Sequence, residues 1–149
     1  MGCDIHFFVE KKSTAYKRNQ SINEVLEEHD SIDPDWTLVQ DEWCDDRNYR
    51  LFGILAGVRT SPKEGPIVEP RGFPDDASDD LSDNYKSWGW DAHSASYITL
   101  TELLNVDWKK YEDDYADGVY LDGFLKSIEK MKKIDANTDN VRCVFWFDN

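Results

Sequence analysis

Asp4 and His6 stand two residues apart near the start of the chain, and Asp91 and His93 repeat that spacing within Trp88-Gly89-Trp90-Asp91-Ala92-His93-Ser94. On extended backbone, residues i and i+2 share a face, so each pair can present one carboxylate and one imidazole to a common point. Two such pairs supply four donors suited to a divalent metal. The plainer reading makes Asp4 a turn cap and His6 an ordinary half-buried strand histidine. Ser94 and Ser96 add hydroxyls near His93. Adjacent residues of a strand diverge, however, and no G-x-S-x-G elbow is present, so serine hydrolase chemistry is a poor expectation.

Two arginines join these candidates. Arg59 follows a helical pattern, and Arg71 lies in the turn-like Glu69-Pro70-Arg71-Gly72-Phe73-Pro74-Asp75-Asp76. A guanidinium held in such a loop can grip a phosphate or carboxylate through two parallel hydrogen bonds. The competing expectation is a salt bridge to one of many nearby acids. Trp90 and Tyr97 offer aromatic faces for stacking. Asp75, Asp76, Asp79 and Asp80 read as a solvated face, and His29, among acidic neighbours, as a surface histidine. Cys44 sits beside Asp45 and Asp46, whose charge disfavours a reactive thiolate.

The elements that must position these residues follow from hydrophobic periodicity. Cys3 to Lys11 alternates as a strand, with Cys3, Ile5, Phe7 and Val9 on one face and Asp4, His6, Phe8 and Glu10 on the other. Val141 to Phe147 has the same period, so the two terminal strands are expected to pair. Trp36 to Trp43 is a weaker strand candidate. Helical spacing marks Asn48 to Val58, where Gly53 and Gly57 would admit a close backbone neighbour. A capping-box pair, Thr99 and Glu102, opens a helix over Leu100 to Leu104, extending toward Trp108. Leu121 to Ile134 carries the longest helical stripe. Ser13 to Pro34 and Thr60 to Asn84 read as long loops. The expected fold is α+β over residues 1–149 as one domain: a small antiparallel sheet including both terminal strands, with helices packed on it.

Composition narrows the function classes. With 17 basic and 31 acidic residues the net charge is −14, which repels nucleic acid and anionic membranes alike. The same acidity suits a protein that imitates nucleic acid and occupies a basic partner. Neither a secretory leader nor a long apolar span is visible, so a cytoplasmic location is expected. Position 6 is His where a myristoylation motif wants Ser or Thr. Cys3, Cys44 and Cys143 are odd in number and lack a CxxC pair, which points to reduced thiols. Cys3 and Cys143 fall on the apolar phase of their strands and are expected to be buried.

Four motifs together carry a resemblance: Met1 to His6, Arg47-Asn48-Tyr49-Arg50-Leu51-Phe52, Pro70 to Asp75, and Asp91 to Ser94. Over about the first two thirds of its length the chain resembles a group of small bacteriophage and prophage proteins, mostly uncharacterised. A second histidine often follows the Ser94 position in that group, where this chain has Ala95. The resemblance implies an accessory role in an infected bacterial cell, by analogy with small phage proteins that act against host defence. The leading expectation is a protein that binds and sequesters a small anionic, nucleotide-like ligand and needs no cofactor. In it Arg59 and Arg71 meet charge, Trp90 or Tyr97 stacks, and Asp4, His6, Asp91, His93 and Ser94 line the site. Two alternatives stand beside it. One is a metal-dependent hydrolase of a nucleotide-like substrate, its divalent ion held by Asp4, His6, Asp91 and His93. The other is an acidic mimic that inhibits a host defence protein. A homo-oligomer is left open.

Overall fold

The alternation at both ends of the chain makes two apolar strands that each need a partner and a cover. A computed structural model describes residues 2–12, 36–39, 47–112 and 121–149 of the protein. Strand β1 (Asp4–Lys12) pairs antiparallel with β4 (Val141–Asp148), in register from Asp4 opposite Asp148 to Lys11 opposite Val141. A short β2 (Trp36–Leu38) flanks β1, and β3 (Ala92–Thr99) flanks β4, both antiparallel. The sheet order is therefore β2-β1-β4-β3, with the first and last strands at its centre. This is the expected α+β architecture. The proposed extension of β2 toward Trp43 and the Ser13 to Pro34 loop lie outside the described residues.

Helices cover both faces. On one face α1 (Tyr49–Ala56), α3 (Leu100–Leu104), α4 (Lys109–Glu112) and α5 (Asp122–Met131) follow in chain order. There Leu51, Phe52, Leu55, Leu103, Tyr111, Phe124, Ile128 and Met131 pack with Ile5, Phe7, Val9, Cys143, Phe145 and Phe147. The capping box forms as anticipated, Thr99 and Glu102 each satisfying the other's backbone N–H. The helix after it stops at Leu104, and α4 is a separate turn beyond Trp108.

The other face shows two departures from expectation. The segment read as loop through Asn84 contains a helix, α2 (Asp79–Trp88), and His93 lies on a strand, β3, that the hydrophobic periodicity did not mark. Leu81, Tyr85 and Trp88 at i, i+4 and i+7 pack with Phe73 on Phe8, Val144 and Trp146. The Ser78 hydroxyl caps the α2 N-terminus by accepting from Leu81 N–H, and Asp79 and Asp80 complement the helix dipole there. A short apolar stripe diluted by aspartates hid this helix. Because α2 closes the second face, every residue from Val141 to Phe147 is buried.

Of the two glycines expected to admit a close neighbour, only Gly53, within α1, does so. A Cβ there would lie 1.9 Å from Thr60 Oγ1 and 2.7 Å from the Thr60 carbonyl oxygen. Gly57 has open space and instead ends the helix with φ 68°, a left-handed cap. Gly53→Ala is expected to cost about 1–3 kcal/mol through overpacking, read as a lower urea midpoint. A loss within error of zero would show that Thr60 shifts freely.

Cys3 and Cys143 are buried free thiols, as their strand phase implied. Burial pushes the Cys143 thiol up to about 12, far from a reactive thiolate. Among the described residues no helix is long and apolar enough to cross a membrane.

Candidate functional site

The end of the sheet where β1 begins, β4 ends and β3 begins gathers most of the expected residues, because Asp148 pairs with Asp4 on one side and Ala92 on the other. Asp4 is gripped by Arg47, whose Nε and Nη2 donate to its two carboxylate oxygens at 2.8 and 3.1 Å. This bidentate contact holds the Asp4 carboxyl below its ordinary value. Both side chains stay about half exposed. Gly2 makes room for the arginine, since a Cβ there would fall 2.2 Å from its Nη1. Tyr49, two residues after Arg47, accepts a hydrogen bond from Cys3 N–H at 3.2 Å, and the Arg59 guanidinium lies 5.5 Å from the Tyr49 ring. Arg47 and Arg59 thus flank one tyrosine at the mouth of β1.

His6 opposes Trp146 across the sheet. Its Nε2 lies 2.7 Å from Asp148 Oδ2, and its ring sits 4.3 Å from Trp88 and 5.7 Å from Trp146. The carboxylate and two indoles fix the imidazole plane. Trp146 is fully buried, and its Nε1 finds no hydrogen-bond partner among the described residues.

His93 belongs to the opposite face. It opposes Phe147, stacks against that ring at 6.1 Å, and places Nδ1 3.1 Å from Ser94 Oγ and Nε2 3.2 Å from Asn149 Oδ1. Residues directly opposite each other share a face, and Trp146 and Phe147 are neighbours in one strand, so His6 and His93 leave the sheet on opposite sides. The expected convergence of Asp4, His6, Asp91 and His93 on one point is therefore not formed. Among the described residues no three His, Cys, Asp or Glu side chains are grouped to hold a metal ion. Asp91 is exposed in the short 3-10 turn Gly89–Asp91, and Trp90 beside it is the most exposed large aromatic described.

Arg71 is placed elsewhere again. Its Nη1 donates to the Tyr97 carbonyl at 3.0 Å and to Glu102 Oε1 at 2.9 Å, while Nη2 takes Glu102 Oε2. Its own N–H donates to Ser96 Oγ, and its guanidinium covers Tyr97 at 5.5 Å. The salt-bridge expectation is met for this residue, whose guanidinium lies over the Tyr97 ring. The Arg71 guanidinium, helped by hydrogen bonds from Thr99, lowers the Glu102 carboxyl to about 2. Arg71 fastens the proline-rich loop to β3 and α3.

Sequence reading missed Arg47 and Asp148 as members of the site. Arg47 carried a signal, its place at i−2 to Tyr49 in a polar stretch just before a helix. Asp148 carried none, because only the register of β1 on β4 brings it to His6. A further omission is the pair beneath β2. Glu10 and Arg142 are both buried, with Arg142 Nε and Nη2 donating to Glu10 Oε1 at 3.0 and 2.8 Å. Asp76, expected in a solvated face, also takes the Arg142 Nη1 at 2.9 Å and accepts from Trp36 Nε1 at 3.0 Å.

In comparisons with known proteins, no family model, curated protein sequence or solved structure matched this chain.

Proposed function

We propose that the protein binds and sequesters a small anionic, nucleotide-like ligand at this sheet end, with Arg47 and Arg59 as its cations. The observation that carries the reading is the Arg47 fork lying exposed across Asp4, next to the Arg59–Tyr49 pair, in a chain of net charge −14. An exposed ion pair contributes little to stability, so a phosphate can replace the Asp4 carboxylate as the bidentate partner at small cost. Trp90 supplies an exposed ring for a base, and His6, set by Asp148, orients a polar group. The resemblance to phage proteins adds a setting in an infected bacterial cell, where removal of a nucleotide signal serves evasion of host defence.

Calorimetry with mononucleotides and cyclic nucleotides tests this. Arg47→Ala is expected to weaken binding by about 1.5–3 kcal/mol, the range for hydrogen bonds to charged groups. Ligand recovered intact after heat denaturation of the complex supports sequestration. No binding by any nucleotide, or equal affinity in the variant, would overturn the reading.

One observation favours a second reading, an acidic surface that occupies a basic host protein. Asp79, Asp80 and Asp83 are all exposed along α2, which leads into Trp90 and Asp91. A stable complex with a basic protein that dissolves at high salt, with no nucleotide affinity, would select it. Metal-dependent hydrolysis through Asp4, His6, Asp91 and His93 draws no support from the geometry, since the two histidines face opposite ways.

A further inference from the structure

Ser94 is one of only two non-glycine residues with positive φ among the described residues, at φ 54°. The cause is a bulge in β3. His93 pairs with Phe147 and Ser96 with Phe145, so Ser94 and Ala95 together stand opposite Trp146 alone. In a regular strand Ser94 would point away from His93. The bulge and the left-handed backbone turn it back, placing Oγ 3.1 Å from His93 Nδ1. On the other side of the ring, Nε2 lies 3.2 Å from Asn149 Oδ1. With Asn149 presenting Oδ1, the matching tautomer carries its hydrogen on His93 Nε2. In that tautomer the Nδ1 lone pair faces the serine hydroxyl, which donates to it. Hydroxyl, imidazole and orienting amide stand in the order a base-activated nucleophile requires. Strained backbone at a polar residue is a recurrent companion of such sites.

We propose that Ser94 is a nucleophile toward carboxylic esters, with His93 as its general base and Asn149 as a positioning residue. As the Oγ–C bond forms on the ester carbonyl, the hydroxyl proton passes to His93 Nδ1. The ester C–O bond breaks, and its electron pair leaves on the alcohol oxygen, which takes that proton. Water then repeats the exchange at the acyl-serine, and the carboxylic acid is released with Ser94 restored. This activity lies on the opposite face from the His6–Asp148 pair and does not depend on nucleotide binding at Arg47.

The folded full chain is treated with a fluorophosphonate probe, whose phosphorus Ser94 would attack with loss of fluoride, and the adduct is located by peptide mass. The expected result is one adduct, on Ser94. Ser94→Gly should abolish it; glycine tolerates the positive φ, so loss of fold is not the confounder. His93→Gln should slow labelling by at least about 100-fold, the lower end of general base contributions. Asn149→Ala should slow it, while Asn149→Asp, which keeps an acceptor oxygen, should retain it. Hydrolysis of a p-nitrophenyl ester should follow the same order. No adduct on the folded protein, an adduct that survives Ser94→Gly, or unchanged labelling in His93→Gln would overturn the proposal and leave the bulge as a structural feature. Calorimetric nucleotide binding reads the Arg47 site separately, so either proposal can fail alone.

Discussion

Arg142→Ala is expected to cost about 3–5 kcal/mol of folding free energy, the range for leaving a buried charge without its partner. Glu10 is fully buried and Arg142 nearly so. One Glu10 oxygen accepts from two Arg142 nitrogens and the other from Ser78 N–H at 2.8 Å. The guanidinium is also stacked 4.1 Å from the Trp36 ring. Truncation therefore strands a carboxylate in an apolar layer and removes the platform that joins β2, β1, β4 and the start of α2. Asp76 is half exposed and can turn to water, so its share of the loss is small. Urea denaturation of the variant checks the magnitude. A loss under about 1 kcal/mol would mean that water reaches Glu10 and the pair is not buried in solution. Glu10→Leu combined with Arg142→Met should recover much of the loss, since a packed apolar pair of similar volume avoids the desolvation cost.

Removal of residues 141–149 should abolish cooperative unfolding altogether. β4 is hydrogen-bonded on both sides, to β1 and β3, and without it those strands lose their shared neighbour. Val141, Cys143, Phe145 and Phe147 leave one core, and Val144 and Trp146 leave the other. A Phe or Trp truncated to Ala in a core typically costs about 3–5 kcal/mol, so the loss of three together exceeds the stability of an ordinary domain. Calorimetry and near-ultraviolet circular dichroism provide the check. A truncated chain that melts in one transition near the full-length midpoint would refute the central placement of β4.

Period and capping signals were enough to locate β1, β4, α1, α3 and α5 from sequence, because each depends on contacts repeated within a few residues. The Thr99–Glu102 box and the alternation of Cys3 to Val9 are local chemistry that any fold must respect. The same local rules failed for α2 and β3. α2 has one fully buried residue, Leu81, and its aspartates made it read as solvated loop. Only the need to cover Phe8, Val144 and Trp146 makes it a helix with an inner face.

The site divided in the same way. Sequence sufficed to single out Asp4, His6, Asp91, His93 and Ser94 as the concentrated polar residues, and the strand period correctly put Asp4 and His6 on one face. It could not say which face of a shared strand each pair would meet, and a shift of one residue in register exchanges the faces. The pairing of β4 with both β1 and β3 made that decision, sending His6 to Asp148 and Trp88 and His93 to Phe147 and Asn149. Arg71, legible as a loop arginine, was claimed by Glu102, whose position depends on where α3 lies. Arg47 reached Asp4 because α1 starts beside the sheet end. Ser94 reached His93 through a bulge that no alternation of residue types announces. Residue type and short-range spacing determined what chemistry was available; long-range register and backbone irregularity decided which groups could share it.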